Sequence, residues 1–233
     1  MKTSSGYCEI FLNFNPYLCK HQQKFINWLE FMKKSTGILL PYFSVSGIEA
    51  GLDEAGRGCL AGPVVASAVI LPKDFTHPAL TDSKQLTSKQ RTNLIDIVKH
   101  YAIEYAIAEV DHETIDQINI YKASVLAMHK SLDQLKTRPD HLLVDGNRFI
   151  NYPLISHTCI VKGDSKYFSI AAASILAKTY RDDWMKSAAE KYPGYGWERN
   201  AGYPTLEHRK AVLNLGPTEI HRKTFRVELK EKC

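Results

Sequence analysis

Cysteine is scarce in this chain. Five occur among 233 residues (Cys8, Cys19, Cys59, Cys159 and Cys233), and no two form a CxxC pair. That spacing excludes a zinc ribbon and a disulfide-stapled secreted framework, and reduced thiols in a cytoplasmic protein are the simple expectation. No stretch approaches the ~18 uninterrupted apolar residues that a membrane-spanning helix needs, so no membrane partner is expected. No secretory leader is expected either, because Glu9, Asn13 and Asn15 interrupt the early apolar run. Internal repeats and low-complexity tracts are lacking. Charge of one sign is only mildly in excess, 30 Lys and Arg against 25 Asp and Glu, a net +5. Such a balance is compatible with a polyanionic partner without requiring one.

What is present is ordinary globular material, 44% apolar and 24% charged, which rules out a fully disordered chain, a collagen and a coiled coil. The length suits one large domain with at most a small appendage. Residues 1–47 differ from the rest in composition. They are rich in Asn, Phe, Tyr and Lys and carry only Glu9 and Glu30 as acids, so they read as an N-terminal extension. Met32, followed by Lys33 and Lys34, would serve as an alternative start. A basic tail is expected over 226–233.

Between these, strand-like and helix-like stretches alternate. The apolar runs Ile48 to Leu52, Val64 to Leu71, Tyr101 to Val110, His141 to Val144 and Thr158 to Val161 predict strands. In the third of these, Tyr101, Ile103, Tyr105 and Ile107 share one face. Helical spacing predicts helices over Ser88 to Tyr101, Ile120 to Leu135, Ser169 to Tyr192 and Thr205 to Leu215, the last stopped by Gly216-Pro217. The expected fold class is α/β, a sheet covered by helices.

The chemistry lies in where the acids fall. Asp53 and Glu54 follow the first strand, Asp145 follows Leu142-Leu143-Val144, and Asp164 follows Cys159-Ile160-Val161. In an open α/β sheet the carboxyl ends of strands are where ligands bind. Carboxylates gathered there repel one another unless a cation neutralises them, and hard oxygen ligands favour Mg²⁺ or Mn²⁺. Two such ions about 3.5–4 Å apart can activate a water and stabilise the leaving oxygen of a phosphodiester. Each acid also has an ordinary explanation. Asp145-Gly146 is a common turn, Asp164 can cap a helix, and Asp53-Glu54 can be a solvated turn, so no single acid decides. Gly56-Arg57-Gly58 lacks the Lys-Ser/Thr of a phosphate loop, yet its glycines allow close backbone approach and Arg57 offers a planar donor fork.

Six segments together resemble the type 2 ribonuclease H family (ribonuclease HII). They are GLDEAGRGCLAGPVVASAVIL (Gly51 to Leu71), TDSKQL (Thr81 to Leu86), LLVDGN (Leu142 to Asn147), KGDSKYFSIAAASILAKTYRD (Lys162 to Asp182), AGYPTLEH (Ala201 to His208) and HRKTF (His221 to Phe225). The resemblance implies an RNase H-like fold over 48–225, a central mixed five-stranded sheet flanked by helices with a helical C-terminal part. It implies an endonuclease that cuts the RNA strand of RNA–DNA hybrids and incises 5′ of ribonucleotides embedded in duplex DNA, leaving 3′-hydroxyl and 5′-phosphate ends. It places the catalytic and metal-binding acids on Asp53, Glu54, Asp145 and Asp164, with two Mg²⁺ or Mn²⁺ ions. Substrate contacts fall on Gly56, Arg57 and Gly58, which read the ribose 2′-hydroxyl, and on Tyr203, which senses the nucleotide that follows. Lys84 and Lys166, with Lys162, Lys178 and Arg181, are candidates for tracking phosphates, and no obligate protein partner is implied. Arg222, Lys223, Arg226, Lys230 and Lys232 read as a solvated basic face, and Trp184 and Met185 as core. Two departures stand out: Cys59 where the family usually has Pro, and Pro204 where it usually has Gly. Two other readings of the residues remain open here, a two-metal phosphoesterase without single-ribonucleotide specificity and a silent nucleic-acid-binding module.

Overall fold

The structure, a computed structural model, describes residues 39–78, 80 and 88–228. Of the N-terminal extension only 39–47 is therefore described, and Lys84, Lys230 and Lys232 lie outside the described residues.

Five strands form one mixed sheet: β1 (Glu49–Ala55), β2 (Val64–Ile70), β3 (Glu104–Val110), β4 (His141–Asp145) and β5 (Ser156–Ile160), in the order β3-β2-β1-β4-β5. β1 runs antiparallel to β2 and β2 to β3, whereas β1, β4 and β5 are parallel neighbours. The helices are α1 (Ser88–Tyr101), α2 (His112–Ile118), α3 (Ile120–Asp133), α4 (Phe168–Lys191), α5 (Trp197–Asn200) and α6 (Leu206–Leu215), with a 3₁₀ turn at Gly163–Ser165. No helix among the described residues is long and apolar enough to cross a membrane.

Strand alternation sorts the core onto two faces. Ala50, Leu52, Leu142 and Val144 point to one side, where Ala123, Ala127, Met128 and Leu132 of α3 cover them. Val69 joins the other core, with Phe168, Ala171, Ala172, Ile175 and Leu176 of α4 and Leu94 and Val98 of α1. The first half of α4, from Phe168 to Ala177, is buried all round, as its alanine content demands. It lies almost on the backbone of β1. A Cβ added at Gly51 would come 2.3 Å from the carbonyl carbon of Ser169, so only glycine fits.

Most predicted elements are found, with shifted ends. β1 extends through the acids, so Asp53 and Glu54 lie inside the strand. β5 starts two residues earlier than expected, and Asp164 sits in the 3₁₀ turn beyond it. In β3 the buried face is Ala106, Ala108 and Val110, not the face carrying Tyr105. As an edge strand, β3 meets α3 through small side chains and leaves Ile103 and Tyr105 exposed. α2, capped by Asp111 accepting from Thr114 N–H at 2.7 Å, was not predicted.

Two of the basic residues behave differently from expectation. Arg181 is 1% exposed and Arg222 is 2% exposed. Arg181 donates to the carbonyls of Pro63 (2.9 Å), Ala201 (2.8 Å) and Ala61 (3.0 Å). Arg222 donates to Gly62 (2.9 and 3.0 Å), Pro63 (3.1 Å) and Arg57 (3.1 Å). Arg181 is therefore not a phosphate tracker, and Arg222 is not part of a solvated face. Both guanidiniums spend their donors on backbone carbonyls, because burial forbids leaving them unpaired.

The packing of α4 on β1 gives a direct test. Gly51→Ala is expected to cost about 2–3 kcal/mol of stability, since the obstacle is backbone and cannot swing aside. Denaturant unfolding measures it, and an unchanged midpoint would contradict the close approach.

Candidate active site

Parallel pairing of β1 with β4 brings their carboxyl ends to one edge. The register pairs Leu52 with Val144, so the next residues, Asp53 and Asp145, emerge side by side. Asp53 points to the α4 face, where it is 5% exposed, takes Glu54 N–H on Oδ1 at 2.7 Å and meets the Ser174 hydroxyl. Glu54 points the other way and accepts from Arg57 Nη1 at 3.0 Å. Asp145 accepts from Gly163 N–H at 2.6 Å, which ties the end of β4 to the 3₁₀ turn carrying Asp164. Asp164 is buried in that turn, 1% exposed.

A cavity of about 290 Å³ opens over this edge, lined by Asp53, Glu54, Gly56, Arg57, Gly58, Asp145, Ser174, Lys178 and Tyr203 among others. A second cavity of about 280 Å³ adjoins it, sharing Glu54, Arg57 and Asp145 and adding Tyr121, Asn147 and Arg148. Three of the four sequence-predicted acids thus share one wall. Asp164, in the 3₁₀ turn, and Lys166, exposed at the end of that turn, are not among the residues lining it. Lys178 is on the wall.

The Gly-Arg-Gly turn divides its labour. Gly56 has φ +95°, and a Cβ there would sit 2.0 Å from Arg181 Nε, so this glycine serves packing. Around Gly58 nothing lies within 4 Å of an added Cβ, so its backbone is open to an incoming ligand. Cys59 N–H closes the turn onto Gly56 C=O at 3.3 Å, a bond that proline could not donate. Tyr203 is 37% exposed, with Lys178 Nζ and the Arg181 guanidinium each 5.7 Å from its ring centroid. Its phenol meets Cys59, and burial raises its pKa.

The acids are electrostatically strained. Burial pushes the Asp53 carboxyl well above its usual range, and the charges of Glu54 and Asp145 push it further. Glu54 is also raised, first by burial and then by Asp145, against the opposing pull of Arg57. Such a donor set, all hard oxygen and mutually repelling, suits a divalent cation, which would relieve the repulsion. Among the described residues, no three His, Cys, Asp or Glu side chains converge closely enough to grip one ion as they stand. The fit is therefore one of chemistry and shared wall.

Sequence reasoning missed Ser174 and gave Arg181 the wrong role, and both had a signal. Ile170, Ser174, Ala177, Arg181 and Met185 recur at helical spacing along α4, which places Ser174 beside the acids and Arg181 on the buried face.

Comparisons with known proteins agree with this architecture. A family model for ribonuclease HII matches residues 50–230. Ribonuclease HII of Bacteroides thetaiotaomicron is 60% identical over 188 residues, covering 81% of this chain and 94% of that protein. The crystal structure of ribonuclease H2 from Pyrococcus horikoshii OT3 superposes with a TM-score of 0.66 at 25% identity, covering 77% of this chain and 94% of that one. Bst-RNase HIII, solved in complex with Mn²⁺, shares the fold with a TM-score of 0.56 at 18% identity, over 78% of this chain and 74% of that one.

The strained acids lead to a second test. In EDTA, Asp53→Asn is expected to melt about 2–4 °C above the parent, the shift that about 1 kcal/mol produces in a chain of this size. A raised carboxyl pKa means the folded chain takes up its proton before the unfolded one, so repulsion is fully felt above the folded pKa and fades as pH falls through it. The gain should be largest at alkaline pH and shrink towards acid. Equal melting of the two proteins across that range would remove charge clustering as the cause.

Proposed function

The chain belongs to the ribonuclease HII family, and we infer that it cuts the RNA strand of RNA–DNA hybrids and incises duplex DNA on the 5′ side of an embedded ribonucleotide. The observation that carries this reading is the meeting of Asp53, Glu54 and Asp145 with Gly58, Arg57 and Tyr203 on one cavity. Carboxylates alone would suit many phosphoesterases. A backbone left open at Gly58 beside them suits a substrate recognised by a sugar hydroxyl, because the 2′-OH both donates and accepts.

Asp53, Glu54 and Asp145, with Asp164 buried beside them in the 3₁₀ turn, are the residues that would hold a pair of Mg²⁺ or Mn²⁺ ions. When bound, such ions supply an acidified water and stabilise the leaving 3′ oxygen, so that the products carry 3′-hydroxyl and 5′-phosphate ends. The Mn²⁺ complex of Bst-RNase HIII supports a divalent cation on this fold. The chain's own residues do the rest. Gly58 lets the main chain approach the 2′-hydroxyl, while Arg57 is half exposed and can exchange Glu54 for an adjacent phosphate. Lys178, on the same cavity as the acids, offsets phosphate charge. The Tyr203 ring stacks on the sugar or base of the next nucleotide, where a second 2′-hydroxyl would crowd it.

Three measurements test this. A DNA duplex carrying one ribonucleotide, incubated with the protein and Mg²⁺ or Mn²⁺, should be nicked 5′ of the ribonucleotide. Asp53→Asn should reduce turnover roughly a thousandfold or more while duplex binding persists. Binding without cleavage of any substrate by the parent protein would make it a silent module, and cleavage of long hybrids only would make it a general hybrid nuclease. Separately, Tyr203→Ala should lower kcat/KM at the DNA–ribonucleotide junction roughly tenfold more than on a uniform hybrid, the worth of one stacked ring. Equal losses on both substrates would remove the sensing role of Tyr203.

A further inference from the structure

Tyr203 is joined by its main chain to a buried chain of hydrogen bonds with no part in the chemistry described above. His208, in the first turn of α6, is fully buried, and His221 is 4% exposed. His208 Nδ1 lies 3.0 Å from the Tyr203 carbonyl oxygen, which can only accept, so Nδ1 carries the proton. Nε2 must then accept, and it does so from the Trp197 indole N–H at 2.9 Å. His221 Nε2 stands 3.2 Å from that same His208 Nε2. The main-chain N–H of Thr218 donates to His221 Nδ1 at 2.8 Å, which fixes the proton of His221 on Nε2 and aims it at His208. Groups of unambiguous polarity at both ends thus set every tautomer in between. Burial lowers the pKa of His208, and burial with the neighbouring His208 lowers that of His221 to about 4, so both rings stay neutral near pH 7.

The peptide of Tyr203 is also pinned from other directions. Its carbonyl accepts from Thr205 N–H at 2.8 Å, and its own N–H donates to Asn200 C=O at 2.9 Å. Thr205 caps α6 by accepting from His208 N–H at 3.2 Å, so the residue that holds the carbonyl is held by the same short loop. Pro204 between them has no N–H to give, which leaves the His208 ring as the side-chain donor reaching into this turn.

We propose that His208, oriented by Trp197 and His221, is a positioning residue that sets the Tyr203 peptide and thereby the stance of the Tyr203 ring over the cavity. The proposal rests on the reading of Tyr203 as the residue that meets the substrate. It concerns specificity and assigns no proton transfer to either histidine.

Two near-isosteric substitutions test it in the full chain. Asn carries its amide nitrogen where the imidazole has Nδ1, so His208→Asn keeps a donor to the Tyr203 carbonyl. Gln carries its amide nitrogen where the ring has Nε2, so His208→Gln loses that donor and faces the Trp197 N–H with another. The readouts are the ring resonances of Tyr203 in ¹³C-tyrosine-labelled protein, assigned with Tyr203→Phe, and the ratio of kcat/KM at a junction to that on a uniform hybrid. His208→Gln is expected to shift the Tyr203 resonances and to lower the ratio roughly tenfold, the equivalent of one net hydrogen bond. His208→Asn, which keeps the donor to Tyr203 but gives up the acceptor that Trp197 and His221 meet, is expected to change both less than His208→Gln does. A purely structural role predicts that both variants lose activity on the two substrates in proportion to lost melting temperature with Tyr203 resonances unmoved, and that result overturns the proposal. Should the His208 variants not fold, His221→Gln, which keeps a donor in place of Nε2–H, is compared with His221→Asn, which does not. A shift of Tyr203 in the Asn variant alone supports the relay, and no difference overturns it. If the resonances respond as expected while Tyr203→Ala leaves junction preference intact, positioning stands and the sensing role of Tyr203 falls.

Discussion

Two buried guanidiniums hold the functional end of this molecule together. Arg181 reaches from α4 and Arg222 from the C-terminal segment, and both close on the carbonyls of residues 57–63. Burying a charge costs several kcal/mol, and only charge-assisted bonds to well-placed acceptors offset it. The loop from Gly56 to Pro63 supplies those acceptors because it is not in regular structure, so its carbonyls are free of ladder duties. Desolvation lowers the Arg222 pKa to about 10, still far above neutral, so the clamp keeps its charge. Main-chain bonds complete the junction: Leu60 N–H to Gly202 C=O at 2.8 Å, and Arg222 N–H to Leu60 C=O at 2.8 Å. The Gly-Arg-Gly turn, the Tyr203 loop and the last segment are thereby one rigid piece.

That rigidity faces a site built against stability. Parallel strands β1 and β4 deliver Asp53 and Asp145 to the same edge, and Glu54 follows Asp53 in the chain. The fold gains nothing from bringing these charges together, as the raised pKa values of Asp53 and Glu54 record. The cost is carried elsewhere, in an α4 that buries ten consecutive residues against β1 and β2, from Phe168 to Ala177. Gly51, two residues before Asp53, is what lets that helix come so near. The close approach that stabilises the sheet also places Ser174 within reach of the Asp53 carboxyl.

Much of this was legible in the sequence, and the exceptions have reasons. Short apolar runs ending in acids gave the strands and their chemical edge, because strand burial and strand termination both leave marks in one dimension. The mixed sheet came only with the resemblance to a known family, since nothing local says which strands are parallel. Asp164 read as a strand-end acid, yet it lies in a 3₁₀ turn, a structure three residues long with no periodicity to detect. Arg181 read as a surface contact because arginine usually is one. Its spacing of four from Ala177 and from Met185 put it on the buried face of α4, and spacing was the better guide. Arg222 offered no such cue, for the segment around it has no repeat. His208 and His221 lay within the matching motifs, but their link through Nε2 joins positions 13 residues apart by packing alone.

Discrimination between a deoxyribose and a ribose rests on one oxygen atom. A site that rejects a hydroxyl by crowding must hold its own wall to a fraction of an ångström, because a wall that can retreat rejects nothing. The Tyr203 ring is more than a third exposed, and the neighbours that touch it are the Cys59 thiol and the long Lys178 and Arg181 side chains. Its definition comes from these contacts and from the peptide that bears it, and that peptide is fixed at its N–H, at its carbonyl and, through Gly202, at the loop clamped by Arg181. A connected set of buried polar groups, on Trp197, His208 and His221, is bonded to the Tyr203 carbonyl. It is what a soft aromatic edge needs if it is to act as a hard one.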